Sequence, residues 1–130
     1  MFAELFILLY AAHIAADYPL QTDHQAKHKA GGGRCGWTAS AAHAGTHLVA
    51  MAAAVALGAL LLDWDLPLLP AGFALVAVAA AHALIDRRWP VQAWMRIARQ
   101  EKWAQHGGAA HVDQAAHVLT LVAAALAIAA

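Results

Sequence analysis

Four stretches of this chain each carry a pair of His/Asp residues four apart: His13 and Asp17, His43 and His47, His82 and Asp86, and Asp113 and His117. Residues at i and i+4 share one face of a helix, so each pair can aim two side chains at one target. Neutral imidazole and carboxylate are the usual ligands of zinc, iron and manganese. Helix-borne ligands facing a bundle interior are also how di-iron carboxylate proteins are built. Eight groups exceed the needs of one tetrahedral ion. The set implies one or two divalent ions, zinc foremost, with surplus groups orienting the ligands. Asp17, Asp86 and Asp113 are the candidate catalytic bases where they are not ligands. A single such pair reads more often as a hydrogen-bonded histidine near a helix end than as a ligand. Four pairs at one spacing do not, because ionisable groups inside apolar spans cost roughly 3 kcal/mol each on insertion scales. Cys35, the one cysteine, excludes an intramolecular disulfide and leaves no competing thiolate cluster.

The elements that must hold these pairs are apolar. Hydrophobic residues make up 62% of the 130 and charged residues 12%, well below the roughly 25% charged of a soluble domain. The pattern predicts an all-α fold in a single integral membrane domain, residues 1–130. Four transmembrane helices at about 2–17, 37–62, 68–88 and 109–130 form an up-down bundle. The first run lacks the basic leader and cleavage pattern of a secretory signal and reads as a mature helix, short for a full span. Residues 18–36 read as a polar connection whose Gly31–Gly36 end is a flexible loop. Residues 90–105 read as an amphipathic helix lying in the membrane interface, with Val91, Trp94, Met95 and Ala98 on one stripe. In helices one and three the His/Asp pair lies at the C-terminal end, and in two and four near the N-terminal end. An up-down bundle therefore brings all four pairs to one side of the membrane.

That side is also the basic one. All eight Lys and Arg, namely Lys27, Lys29, Arg34, Arg87, Arg88, Arg96, Arg99 and Lys102, fall in the first and third connections. The opposite side carries Glu4, Asp63 and Asp65. The positive-inside rule then places the basic loops in the cytoplasm and both termini outside. Further polar residues stand near the expected site mouth. Gln21, Asp23, Lys29, Arg87 and Gln114 are candidate substrate contacts, with Gln114 also a candidate ligand orienter. His24, His28, His106 and His111 read as solvated. A net charge of zero gives no reason to expect nucleic acid.

The strings His13-Ile-Ala-Ala-Asp17-Tyr-Pro-Leu-Gln21-Thr22-Asp23, His43 with His47, His82-Ala-Leu-Ile-Asp86 and Asp113-Gln114-Ala-Ala-His117 resemble an uncharacterised family of small bacterial and phage membrane proteins. Its motifs are H-x-x-x-D-x-x-L-Q-[TS]-[DE], H-x-x-x-D and D-Q-x-x-H. The resemblance spans nearly the whole chain. That family is in turn similar to proteins described as membrane-bound metal-dependent hydrolases. The resemblance implies a bacterial inner-membrane location, the same site residues, and a hydrolase.

Three functions compete. The leading one is a metal-dependent hydrolase at the cytoplasmic membrane face. A bound metal brings the pKa of its water to about 7, and the basic residues favour an anionic lipid or phosphate substrate. A metal-ion transporter needs a path across the bilayer, yet residues 48–62, 68–81 and 118–130 hold almost nothing polar beyond Thr120. A path between protomers of a homo-oligomer stays open. The third is non-catalytic: a structural or sensory metal site, a haem-binding bundle, or an adaptor docking through 90–105.

Overall fold

Proline, glycine and short polar runs break this chain, and helices fill what lies between. The structure, a computed structural model, describes all 130 residues and contains no strand. α1 (Phe2–Asp17) has 16 residues, about 24 Å at ~1.5 Å per residue, and stops ahead of Pro19. α2 (Asp23–His28) follows. α3 (Gly33–Leu62) ends on Asp63 in the left-handed conformation, and α4 (Leu68–Ile85) starts behind Pro67. α5 (Trp89–Ile97) has Pro90 in its first turn, where the missing N–H costs no hydrogen bond. α6 (Glu101–Trp103) and a π-helical turn (Ala104–Gly108) lead into α7 (Ala109–Ala129). Gly107 takes φ 93 at that kink, a conformation that a side chain would strain.

Four expectations need correcting. Residues 18–36 are not all loop, because Thr22 and Gln25 form a capping box that starts α2: the Gln25 N–H donates to Thr22 Oγ1 at 3.2 Å and the Thr22 N–H to Gln25 Oε1 at 3.0 Å. α3 begins at Gly33 rather than Trp37, so four of the six residues 31–36 are helical. The 90–105 segment is not one helix: the chain turns at Ala98–Gln100, where Arg99 takes φ 56. α4 likewise ends at Ile85 rather than 88, with Arg88 at φ 64.

α3, α4 and the segment Glu101–Ala129 are long and apolar enough to cross a membrane. Their outward surfaces agree. Leu60, Leu68, Leu69, Phe73 and Leu119 are each more than half exposed, a surface that water penalises and lipid accepts. α1 packs on α3 and α7, and α4 packs on the same two. One core joins the N-terminal halves of α1 and α4 (Leu5, Leu9, Leu75) to the C-terminal halves of α3 and α7 (Met51, Leu121, Ile128). Small residues dominate the rest of these interfaces and let backbones approach. A second, smaller cluster of Ile85, Val91 and Met95 seats α5 against α7.

Gly36 fixes the start of α3 relative to α2. A Cβ there would strike the Gly31 carbonyl, whereas at Gly45, on the same helix, it would meet nothing. Gly36→Ala is therefore expected to lower the thermal midpoint in detergent, at a cost of about 1–3 kcal/mol. Gly45→Ala should leave it unchanged or slightly raised. Equal midpoints for the two variants would show that the Gly31–Gly36 contact is not holding the connection.

Candidate metal centre

The C-terminal ends of α1 and α4 meet the N-terminal halves of α3 and α7, and the four pairs meet there. His13, His43, His47, His82 and His117 are fully buried, and Asp17 and Asp86 nearly so. These side chains follow from helix periodicity alone: each pair sits one turn apart on the inward face of its own helix. The rings touch. His47 and His82 centroids are 3.6 Å apart, His82 and His117 4.3 Å, and His43 and His47 4.7 Å.

Nitrogen and oxygen atoms converge on two carboxylates. Asp17 Oδ1 has His43 Nε2 at 3.1 Å, His47 Nε2 at 3.2 Å and His82 Nε2 at 3.8 Å, while Asp17 Oδ2 has His13 Nε2 at 3.1 Å. Asp86 Oδ2 has His82 Nε2 at 3.1 Å and His43 Nε2 at 3.5 Å, and Asp86 Oδ1 has His117 Nε2 at 3.8 Å. Asp113, on the exposed side, reaches His117 Nε2 at 3.4 Å. Three groups could each hold a cation: Asp17 with His43, His47 and His82; His13 with His82 and His117; and Asp86 with Asp113 and His117. Ligands about 2.1 Å from a tetrahedral ion stand about 3.4 Å from one another, and the 3.1–3.8 Å separations around Asp17 Oδ1 bracket that value.

The proton count also favours a cation. His43, His47, His82 and His117 each have an Nδ1 that is buried without a hydrogen-bond partner. With protons on Nε2, those four Nδ1 lone pairs are buried unmet, and the Lys29 ammonium, 3.0 Å from His43 Nε2, faces an N–H. With protons on Nδ1, the Nε2 lone pairs face carboxylate oxygens with no proton between them. A buried polar atom left unmet costs about 1–3 kcal/mol. A cation among the Nε2 and carboxylate atoms would meet that second mismatch, while the four buried Nδ1–H groups would still lack acceptors.

A cavity of about 170 Å³ opens beside the centre. It is lined by Asp17, Asp86, Asp113 and His117, together with Tyr18, Gln21, Lys29 and Gln114. Of the expected substrate contacts, Gln21, Lys29 and Gln114 thus lie at the site, with the Gln21 side-chain amide donating to the Asp17 carbonyl. Arg87 does not line this cavity. It donates to the Lys29 carbonyl at 3.1 Å and stacks over Trp37 at 4.3 Å, so it holds the α2 connection in place. Asp23 is exposed in the first turn of α2, away from the ligands. His24, His106 and His111 are exposed, and His28 is half-buried against His24. Tyr18 at the cavity wall and the buried Gln25 stand outside the expected set. Tyr18 carries no spacing signal. The buried Gln25 was readable from the Thr22-x-x-Gln25 capping pattern.

A family described as "Protein of unknown function (DUF3307)" matches residues 5–130. No curated protein and no solved structure matches the chain.

Proposed function

The chain belongs to the DUF3307 family of proteins of unknown function, and from there we propose that it is an integral membrane metalloprotein that hydrolyses a phosphate-containing substrate at the cytoplasmic face of the bacterial inner membrane. The observation that carries this reading is the crowding of three imidazole Nε2 atoms within 3.8 Å of one carboxylate oxygen, Asp17 Oδ1. His43 and His47 stand at hydrogen-bond distance from that oxygen, whereas His82 Nε2 is buried with no hydrogen-bond partner, and buried ionisable groups inside apolar spans mark function by default.

In this proposal α1, α3, α4 and α7 form an up-down bundle, with α1 as a fourth, shorter span and α5 at the interface. The basic connections lie inside and both termini outside, in keeping with the one-sided placement of Lys and Arg. Zinc suits a set of histidines with a few carboxylates, and iron and manganese accept the same donors. Asp17, His43, His47 and His82 would hold one ion; Asp86, Asp113 and His117 would hold a second or orient the first. When bound, a divalent metal supplies an activated water and polarises a phosphoryl oxygen. Water and a phosphoester then give an alcohol and a phosphate. Asp113, a quarter exposed beside His117, would take the proton from that water where it is not itself a ligand. Gln21 and Gln114 at the cavity wall orient the substrate.

Elemental analysis of the detergent-purified protein, beside an Asp86→Ala/His117→Ala variant, tests the reading. One or two equivalents of zinc, iron or manganese in the native protein and none in the variant is the expected result. Absence of metal from both, even after incubation with zinc, would sink it. Metal without turnover of p-nitrophenyl phosphate or phosphatidic acid would remove the hydrolase and keep the metal centre as a structural or sensory site.

A further inference from the structure

Lys29 stands where a metal ligand sphere would be. Its Nζ is 3.0 Å from Asp86 Oδ2, 3.0 Å from His43 Nε2 and 3.9 Å from Asp17 Oδ1. Two nearly buried carboxylates with no counter-charge would destabilise the metal-free protein strongly. Lys29 is the single Lys or Arg lining the cavity, and it is the basic side chain that reaches both of them. Building on the metal-centre reading, we propose that the Lys29 ammonium is the resident cation of the empty centre, and that a divalent ion displaces it into the cavity, where it becomes the contact for the anionic part of the substrate.

The displacement follows from geometry and charge. A metal about 2.0–2.1 Å from His43 Nε2 takes the same lone pair that the ammonium now faces. Two positive charges at that separation also repel. Movement is cheap because only the side chain has to swing: a flexible four-carbon stem carries the charge, while Arg87 holds the Lys29 carbonyl at 3.1 Å and the Lys29 N–H stays bonded to Gln25. The cavity then changes character. Empty, it presents Asp17, Asp86 and Asp113 and repels anions. Loaded, those carboxylates are neutralised and the one ammonium is free. Anion binding is thereby made conditional on metal. The shared chemistry is a phosphate group, whether free or on a lipid headgroup.

The wild-type protein tests this directly. It is treated with an amine-acylating reagent with and without zinc, and modification of Lys29 is quantified by mass spectrometry against Lys27, which is exposed on α2 two residues earlier. Zinc is expected to raise Lys29 modification several-fold and leave Lys27 unchanged. Inorganic phosphate should then protect Lys29 in detergent if the free ion is bound. Phosphatidic acid in phosphatidylcholine vesicles should protect it if the headgroup is the ligand. Zinc affinity is measured in parallel by competition with a chromophoric chelator, and Lys29→Met should bind about tenfold more tightly than wild type. Unchanged Lys29 modification together with equal affinities would overturn the displacement while leaving the metal centre standing. Zinc-driven exposure with no protection by either phosphate source would overturn the anion contact. Zinc binding by neither protein would remove both readings together.

Discussion

His82→Ala is expected to strip the protein of the ion held with Asp17, His43 and His47. The His82 ring is central to the cluster, with its centroid 3.6 Å from His47 and 4.3 Å from His117. Its Nε2 reaches both carboxylates, at 3.1 Å from Asp86 and 3.8 Å from Asp17. It also belongs to two of the three groups that could hold an ion, so only Asp86 with Asp113 and His117 escapes its loss. Metal content should fall to about half or less, since the loss leaves Asp17, His43 and His47 as three protein donors where a closed tetrahedral site has four. Deleting a fully buried side chain also leaves a hole, worth roughly 2–5 kcal/mol, and the thermal midpoint should drop with it. His106→Ala is the control. That ring is exposed and bonds the Lys102 carbonyl, so its removal should change neither quantity. Equal loss of metal in both variants would mean that the ligands lie elsewhere.

Chelation should give the second large effect. A ligand that binds only the folded state stabilises it by about 4 kcal/mol at a thousand times its Kd. Treating the loaded protein with EDTA is therefore expected to lower the thermal midpoint by on the order of 10 °C. Asp17→Asn should erase that response. The substitution keeps the size of the side chain but removes the charge to which His13, His43 and His47 all point within 3.2 Å. Its midpoint should be the same with zinc and with EDTA. A retained zinc-dependent shift in Asp17→Asn would move the primary ligand set to Asp86, Asp113 and His117.

The paired residues were legible because a four-residue spacing fixes a shared helix face whatever the tertiary fold does. Their alternation between helix ends gave the common level in the same way. The long apolar runs announced α3, α4 and α7 for an equally local reason: length and hydropathy suffice. Connections were less readable. The Gly31–Gly36 stretch looks like a loop by composition, yet Gly36 is helical because its bare Cα lets the Gly31 carbonyl approach, a tertiary contact that no periodicity encodes. The break at Arg99 likewise depends on how α5 seats Val91 and Met95 beside Ile85. Lys29 shows the limit most clearly. Its charge suggested a substrate contact, but its position on His43 and Asp86 arises from the path of a short capped helix between two spans.

The apolar filling at the end of the four packed helices remote from the histidines has an electrical consequence. Leu9, Met51, Leu75, Leu121 and Ile128 are among the residues that make this half of the interior dry. In a bilayer most of the transmembrane voltage falls across such low-dielectric material. A divalent ion carried through the whole field at 100 mV exchanges about 4.6 kcal/mol with it. One that enters from the basic face and stops at Asp17 and Asp86 crosses only a small part of that drop. Occupancy of the centre should then follow the metal concentration on one side and stay nearly indifferent to whether the membrane is energised.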